Sequence, residues 1–334
     1  MRLAVIPGDG IGPEVMTATR RVLEASGLSA EWVELPAGAS ALEQGHDNVL
    51  PARTLAAIQA HKVALKGPVT TPVGKGFKSV NVQLRKALNL YAAVRPVHSL
   101  NGIKTRFSNV NIVIVRENTE GLYSGIENEV VPGVVTSLKV ATEVACTRIA
   151  RYAFRYATRK HHKRITVFHK ANIMKMTDGL FLNSARKIHE EEYPNIDYDE
   201  VIIDAGCMKL VQDPTRFDML LMENLYGDLV SDLCAGLVGG LGVVPGSNIG
   251  DDAAVFEAVH GSAPDIAGKG VANPLALIMS AVMMLEHMHE DATAKKVQTA
   301  YEAVLAEGKT LTRDLGGTAS TTQFTDAVIS RLGA

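Results

Sequence analysis

Two aspartates four positions apart, Asp228 and Asp232, are the strongest chemical signal in this sequence. If residues 224–242 begin as a helix, both carboxylates lie on one helix face, where like charges repel each other by roughly 0.2 to 0.5 kcal/mol. A divalent cation between them would offset that repulsion. The alternative is that Asp228 caps the helix after Gly227 and that Asp232 is a solvated surface acid. The spacing by itself leaves both interpretations open.

Three arginines, Arg85, Arg95 and Arg116, adjoin segments that otherwise have the pattern of buried elements. Arg116, for example, directly follows an apolar strand pattern at residues 111–115. A buried guanidinium group requires anionic partners. These arginines therefore form either structural ion pairs, with acids such as Glu117, or a clamp for a substrate with several carboxylates. Bidentate guanidinium geometry suits such a substrate.

Lys170 and Asp204 each come directly after a predicted strand, at residues 165–168 and 201–203. Lys170 either extends its ammonium group to water or, if buried, serves as a proton acceptor. Asp204 could supply a third oxygen ligand to a cation.

The stretch Pro7-Gly-Asp-Gly-Ile-Gly-Pro-Glu14 joins a strand at residues 3–6 to a helix. Such a loop presents backbone N–H groups to a phosphate, or it is simply a tight turn between strand and helix. The spacing of Gly8, Gly10 and Gly12 does not make the dinucleotide fingerprint GxGxxG. Together with the paired aspartates, the loop suggests a Mg²⁺-dependent phosphohydrolase as a different class of function, although no nucleophile motif supports it.

The elements that must position these residues alternate between strand and helix, which predicts an α/β protein. Apolar runs predict strands at residues 32–35, 63–67, 111–115, 165–168, 201–203 and 217–222, and a hairpin at residues 130–135. Helical patterns cover residues 141–156, 275–287, 292–307 and 322–332. Residues 239–250 are rich in glycine and predict a loop. The sequence has no low-complexity linker, so two domains in this chain would exchange strands more than once.

The chain has 334 residues, a net charge of -2 and 46% hydrophobic residues, an ordinary composition for a soluble globular protein. So small a net charge predicts no binding to nucleic acid or to a membrane. Cys146, Cys207 and Cys234 are too widely spaced for a disulfide framework or a zinc motif. The apolar run at residues 275–285 is too short to cross a bilayer, and the first residues carry no signal-peptide pattern. We therefore expect a cytoplasmic protein.

The sequence contains five motifs in this order: Pro7-Gly-Asp-Gly-Ile-Gly-Pro-Glu14, Arg116-Glu-Asn-Thr-Glu-Gly-Leu-Tyr123, His169-Lys-Ala-Asn172, Asn224-Leu-Tyr-Gly-Asp-Leu-Val-Ser-Asp232 and His260-Gly-Ser-Ala-Pro-Asp265. Together they resemble the isocitrate and isopropylmalate dehydrogenase family. Each motif is weak alone, but the ordered set is very specific and spans nearly the whole chain. Within the family, the sequence is most similar to NAD-dependent isocitrate dehydrogenases.

The resemblance implies an α/β fold of two domains that is not a Rossmann fold, with a cleft between the domains. The large, cofactor-binding domain is expected to be discontinuous, at residues 1–96 and 238–334. The small domain, residues 97–237, is expected to carry the dimer interface and the metal-binding aspartates. The family also implies a homodimer, or a higher oligomer, in which each active site borrows Asp204 and Lys170 from the neighbouring chain.

The reaction that the resemblance implies is the NAD-dependent oxidative decarboxylation of isocitrate to 2-oxoglutarate and CO₂. Asp228 and Asp232, with Asp204, would bind Mg²⁺ or Mn²⁺, which makes the C2 hydroxyl of the substrate easier to deprotonate. Lys170 would help to remove that proton, and Tyr123 would protonate the enolate that remains after CO₂ leaves.

The substrate in this family is a small tricarboxylate. Arg85, Arg95 and Arg116 would hold two of its carboxylates, and Ser79 and Asn81 would hydrogen-bond the third. Isopropylmalate relatives have apolar side chains where Ser79 and Asn81 stand, and homoisocitrate relatives often have an arginine near Val80 and Val82. The sequence therefore favours isocitrate, with homoisocitrate and 3-isopropylmalate as alternatives.

NAD is implied by Asp265 and Ile266, because an acid suits a free ribose diol and repels a 2′-phosphate. NADP-using relatives resemble this segment with a lysine and a tyrosine instead. The remaining cofactor residues by resemblance are His260, Gly261, Asn273 near the adenine and Thr71 near the nicotinamide. A non-catalytic regulatory subunit is a further alternative, although such subunits tend to lose Tyr123, Lys170 and the aspartates.

Overall fold

The computed structural model describes residues 1–72 and 77–333. The strands, in chain order, are β1 (Arg2–Ile6), β2 (Glu31–Glu34), β3 (Val63–Lys66), β4 (Ala92–His98), β5 (Asn111–Glu117), β6 (Gly121–Val131), β7 (Val134–Val140), β8 (Arg164–His169), β9 (Asp197–Ile202), β10 (Met219–Met222), β11 (Pro245–Ile249) and β12 (Ala254–Ala258). The helices are α1 (Gly12–Ala25), α2 (Ala39–Glu43), α3 (Ala52–His61), α4 (Val80–Ala87), α5 (Glu143–Lys160), α6 (Thr177–Glu192), α7 (Ile203–Gln212), α8 (Asn224–Val238), α9 (Leu275–His287), α10 (Asp291–Glu307) and α11 (Thr321–Ser330). Strands and helices alternate along most of the chain, which confirms the predicted α/β class.

The first of two compact units comprises Met1–Asn89, Ser99–Arg106 and Val238–Ala334. Its strands lie in the order β2, β1, β3, β12, β11, and β11 runs antiparallel to β12 while the other neighbours run parallel. The loop predicted at residues 239–250 is wrong in part, because residues 245–249 form β11. Pairing with β12 satisfies the backbone N–H and C=O groups that a buried loop would leave unpaired.

Helix α9 packs on β11 and β12 and is buried along most of its length. Its position confirms the helix predicted from the apolar run, because that run is long enough to cover the strands beneath it. In the part of the chain that the structure describes, no helix is long and apolar enough to cross a membrane.

The second unit comprises Leu90–His98 and Phe107–Leu237. Its sheet has the order β4, β5, β10, β8, β9, in which β4 is antiparallel to β5 and the other neighbours are parallel. Because β5, β10 and β8 point the same way, their carboxyl ends fall at one edge of the sheet. The residues at or just beyond those ends are Arg116, Asn224 and Lys170.

The expected domain boundary at residue 96 differs from the one observed. Residues 90–98 belong to the second unit, because β4 pairs with β5 along its whole length. Residues 99–106 belong instead to the first unit, where the backbone of Gly102 packs against the carbonyl of Leu305.

Strands β6 and β7 form an antiparallel hairpin, which confirms the hairpin predicted at residues 130–135 and extends it in both directions. Nearly all of its side chains from residue 127 to residue 138 are exposed on both faces. An isolated two-stranded ribbon of this kind gains little stability from its own contacts.

Candidate active site

Helix α8 places Asp228 and Asp232 one turn apart. The helix begins directly after the buried strand β10, so both acids lie near the carboxyl edge of the sheet in the second unit. Partial burial and the nearby charge of Asp228 raise the pKa of Asp232, while the guanidinium groups of Arg95 and Arg116 oppose that rise. Two carboxylates one helical turn apart offer oxygen donors that fit a hard divalent cation.

Arg116 is 1% exposed and is held at the start of α8. Its Nε and Nη2 atoms donate to Oδ1 of Asn224 at 3.0 and 2.7 Å, and its Nη1 donates to Asp228. The hydroxyl of Tyr123 also donates to Asp228, and the Arg116 guanidinium lies 5.1 Å from the centre of the Tyr123 ring. The structure therefore brings together a predicted clamp arginine, a predicted metal ligand and a predicted proton donor.

Gly227 makes this arrangement possible. A Cβ atom at this position would lie 2.4 Å from Cγ of Arg116, which is closer than carbon atoms approach without a shift. The glycine in the Asn224-Leu-Tyr-Gly-Asp motif is therefore a packing requirement of the Arg116 side chain.

Lys170 and Asp204 form a second group in the same unit. Lys170 Nζ donates to Asp204 Oδ1 at 2.5 Å, and this hydrogen bond lowers the pKa of Asp204. Asp204 lies in the first turn of α7 and not at a strand end, because β9 stops at residue 202 and the helix begins at once. Within residues 1–72 and 77–333, no group of three or more His, Cys, Asp or Glu side chains could hold a metal ion. Asp204 thus does not join the α8 acids in one chain.

In the first unit, the predicted substrate residues gather around α4. Ser79 caps this helix by accepting from the Val82 N–H at 3.4 Å, and Thr71 Oγ1 accepts from the Val80 N–H at 3.0 Å. Oδ1 of Asn81 is buried and has no hydrogen-bond partner in the described part of the chain, so it is an acceptor that a bound molecule could satisfy. Residues 73–76, between Thr71 and Ser79, lie outside the part of the chain that the structure describes.

Arg85 contacts an acid that the sequence argument did not identify. Its Nη2 atom donates to Oε1 of Glu257 at 3.3 Å, and the same carboxylate binds Lys66 at 2.7 Å and Asn248 at 2.6 Å. For Arg85 the structure therefore shows the ion-pair alternative, because its side chain takes part in a buried network of charged groups; its contact with a substrate stays a prediction. The sequence did contain a signal for this contact, because Glu257 lies within the apolar strand Ala254–Ala258 and a buried carboxylate needs a cation.

His260 offers a buried acceptor to a cofactor. Its Nδ1 lies 3.0 Å from the Gly261 carbonyl and must carry the proton of that hydrogen bond. Its Nε2 is buried without a hydrogen-bond partner among the residues described, and burial lowers the pKa of His260. A neutral imidazole with a vacant acceptor fits a hydroxyl or amide donor of a nucleotide.

The other predicted cofactor residues differ in their surroundings. Asp265 is exposed, and Ile266 closes a short turn through its N–H to the Ala263 carbonyl at 3.2 Å. The Asn273 amide donates to Asp314 at 2.8 Å and accepts from the Leu275 N–H at 3.0 Å. Asn273 therefore anchors the start of α9, and Asp314, which sequence reasoning missed, orients its side chain.

The glycine loop at residues 7–14 uses its N–H groups within the protein. The Asp9 N–H donates to the Pro68 carbonyl and the Ile11 N–H to the Ser262 carbonyl, both at 2.8 Å. The Asp9 carboxylate accepts from the Thr70 N–H at 2.6 Å. These bonds favour the tight-turn interpretation over a phosphate cradle, and they tie the Thr71 and His260 segments to one loop.

Residues 2–328 match the sequence profile of the isocitrate/isopropylmalate dehydrogenase family. The chain belongs to this family, and the fold expected from the resemblance is confirmed. Its structure is similar to the crystal structure of an isocitrate dehydrogenase from Methylococcus capsulatus, with a TM-score of 0.96 and 50% identity over 100% of this chain and 99% of that one.

Curated relatives carry more specific names. The chain is 52% identical to the NAD isocitrate dehydrogenase catalytic subunit 5 of Arabidopsis thaliana, over 98% of this chain and 87% of the relative. It is 49% identical to a regulatory subunit of the NAD isocitrate dehydrogenase of Dictyostelium discoideum, over 99% of this chain and 92% of the relative.

Both of these relatives are named as mitochondrial, and this finding contradicts the cytoplasmic location expected from the sequence. The expectation was wrong because an ordinary soluble composition and unpaired cysteines do not distinguish the cytosol from a mitochondrial compartment.

Proposed function

We propose that this protein catalyses the NAD-dependent oxidative decarboxylation of isocitrate to 2-oxoglutarate and CO₂. The observation that carries the proposal is the convergence of Arg116, Tyr123 and Asp228 at the start of α8, in a chain of this family. A carboxylate clamp, a proton donor and a metal ligand in mutual contact are the groups that this reaction requires.

The second unit supplies the groups that act on the reacting carbons. Arg116 and Arg95 bind substrate carboxylates, and Tyr123 donates a proton to C3 after CO₂ has left. Asp228 and Asp232 would hold Mg²⁺ or Mn²⁺, which acts as a Lewis acid on the substrate oxygens when bound. Lys170 accepts the proton of the C2 hydroxyl.

The first unit binds the rest of the substrate and the cofactor. Arg85, Ser79 and Asn81 bind substrate carboxylate oxygens, with the Nδ2 amide of Asn81 as its donor. The buried acceptor Oδ1 of Asn81 receives a hydrogen bond from a hydroxyl or a water molecule when the site is filled. His260, Gly261, Asn273, Thr71, Asp265 and Ile266 are the residues proposed to surround NAD, which accepts a hydride from C2.

We infer a homodimer with shared active sites, in which Asp204 and Lys170 serve the neighbouring chain. Among the described residues, every exposed large hydrophobic side chain except Met1 and Val271 lies in the second unit. Seven of these described residues are on the β6–β7 hairpin: Leu122, Ile126, Val130, Val131, Val134, Val135 and Leu138. Apolar surface of this extent is typical of a protein interface, and the separation of Asp204 from the α8 acids in one chain supports a shared site.

The experiment that tests the function is a steady-state comparison of isocitrate, homoisocitrate and 3-isopropylmalate, each with NAD and NADP, in the presence of Mg²⁺ or Mn²⁺. We expect kcat/KM to be highest for isocitrate with NAD. A higher value for either other acid would reject isocitrate as the substrate.

A regulatory subunit is the second candidate, because one similar relative is named as such. The same assay, on this chain expressed alone, distinguishes a catalytic chain from a regulatory one. A catalytic chain turns over isocitrate by itself, whereas a regulatory chain is inactive alone and changes the activity of a catalytic partner.

Coenzyme choice is expected to reverse in the double variant Asp265→Lys/Ile266→Tyr. Removal of the Asp265 carboxylate removes its repulsion of a 2′-phosphate, and the new lysine attracts that phosphate. The ratio of kcat/KM for NAD over NADP should therefore fall by at least about 100-fold. Steady-state kinetics with both coenzymes measures the ratio. Asp252→Lys, the same charge change at an exposed loop aspartate, is the control. An unchanged ratio in the double variant would remove Asp265 from the cofactor site.

A further inference from the structure

A buried group of polar side chains in the second unit has no role in the reaction described above. Lys139 of β7 donates to Asp178 Oδ1 at 2.5 Å and lies 3.3 Å from Glu223 Oε1. Its ammonium is 4.7 Å from the ring centre of Tyr226. Asp178 is 2% exposed and Glu223 7%. We call these four residues the Lys139 cluster.

A cavity of about 20 Å³ adjoins the Lys139 cluster and is lined by Lys139, Asp178 and Glu223 together with Cys146 and Phe181. Its volume admits one water molecule. Burial raises the pKa of Glu223, while the Lys139 ammonium opposes that rise. The charges of this cluster are thus largely removed from solvent and depend on each other for compensation.

Stability alone is a weak explanation for such a cluster, because apolar residues of similar volume often stabilise a fold as well as a buried ion pair does. The second oxygen of Asp178 gives a better one. Asp178 Oδ2 accepts the backbone N–H of Lys170 at 2.7 Å. One carboxylate therefore binds Lys139 through one oxygen and the main chain of Lys170 through the other.

The segment that follows Lys170 is a turn whose geometry depends on this contact. The N–H groups of Ile173 and Met174 both donate to the Lys170 carbonyl at 2.9 Å, and Asp178 lies in the first turn of α6. The Lys170 main chain is thus held at its N–H by Asp178 and at its carbonyl by the turn. Its side chain extends from that fixed base to Asp204.

We propose that Asp178 is a positioning residue for Lys170 and that Lys139 holds the Asp178 carboxylate in the orientation required for this. The inference rests on the proposed function, in which Lys170 accepts the proton of the C2 hydroxyl. A base whose backbone shifts by a fraction of an ångström loses alignment with the proton, while the arginines that bind substrate carboxylates are unaffected.

The test is Asp178→Asn, with Asp218→Asn as the matched control. Asp218 also accepts two backbone N–H bonds, from Lys163 at 2.7 Å and Arg164 at 3.1 Å, but at the start of β8. We expect kcat of Asp178→Asn to fall about tenfold with KM for isocitrate within about twofold of wild type. The control should keep both values. Equal kcat in the two variants would overturn the proposal.

Amide hydrogen exchange over residues 169–174 gives a readout that does not require turnover. Exchange in this segment should accelerate in Asp178→Asn and remain at the wild-type rate in Asp218→Asn; unchanged exchange in Asp178→Asn would also overturn the proposal. If wild-type protein does not oxidise isocitrate, the proposed function fails, and the exchange result by itself decides whether Asp178 fixes Lys170.

A second variant tests the proposal if Asp178→Asn does not fold. Lys139→Gln keeps a donor near Asp178 but removes the charge, so kcat should fall about threefold with KM unchanged. A wild-type kcat in this variant would show that Lys139 does not orient the carboxylate.

Discussion

Replacement of Tyr123 with phenylalanine is expected to lower kcat about 100- to 10,000-fold, the range that a positioned proton donor contributes. The hydroxyl that is removed donates to Asp228, and the Tyr123 ring lies against the guanidinium of Arg116. The variant keeps the arginines proposed to bind the substrate carboxylates, so KM for isocitrate should change by less than about threefold. Steady-state kinetics separates the two parameters.

The control for this variant is Tyr301→Phe, which removes the hydroxyl of a buried tyrosine on α10 in the other unit. A second readout is proton transfer to C3 in deuterated water. Wild-type enzyme should place deuterium on one face of the product carbon, and Tyr123→Phe should lose that preference. A variant with wild-type kcat and intact stereochemistry would exclude Tyr123 as the donor.

Asp204→Asn and Asp228→Asn chains are expected to be nearly inactive separately and to regain activity when mixed. Each change replaces a carboxylate of the proposed metal site with a neutral amide, so each variant alone should lose at least roughly 100-fold in kcat. In a hybrid dimer with shared sites, one site has both acids and the other has neither. Random exchange at equal amounts should therefore restore about a quarter of wild-type activity, since half of the dimers are hybrids.

The measurement is activity after the two chains are co-expressed, or are dissociated and reassembled together. The control for the procedure is a mixture of wild type with Asp252→Asn, which should keep full activity. Asp252 is exposed and belongs to neither proposed group of site residues. Hybrids that form but remain inactive would show that Asp204 and Asp228 do not serve one site.

Much of the local structure followed from pattern. The helix at residues 275–287 was predicted at its observed bounds, because an apolar run of that length is too long for an ordinary strand. The acids on α8 were likewise placed correctly on one face, since their spacing matches the helical period. In contrast, β11 was missed because its glycine and proline have low strand propensity. The stability of this strand comes from its pairing with β12.

The partners of each charged side chain did not follow from pattern. Arg85 was expected near substrate, but its contact with Glu257 joins residues 172 positions apart. Arg116 reaches Asp228 across 112 positions. Such pairings depend on which strands lie side by side, and sequence spacing carries no information about them.

The sequence by itself determined the family and the order along the chain of the groups proposed for catalysis, because five motifs hold residues whose chemistry suits one reaction. Only the tertiary structure decided that Asp228 is shared between Arg116 and Tyr123, that Lys170 pairs with Asp204, and that the glycine loop uses its N–H groups internally. The reason is physical: residue type fixes what a side chain can donate or accept, whereas the parallel order of β5, β10 and β8 fixes which groups meet.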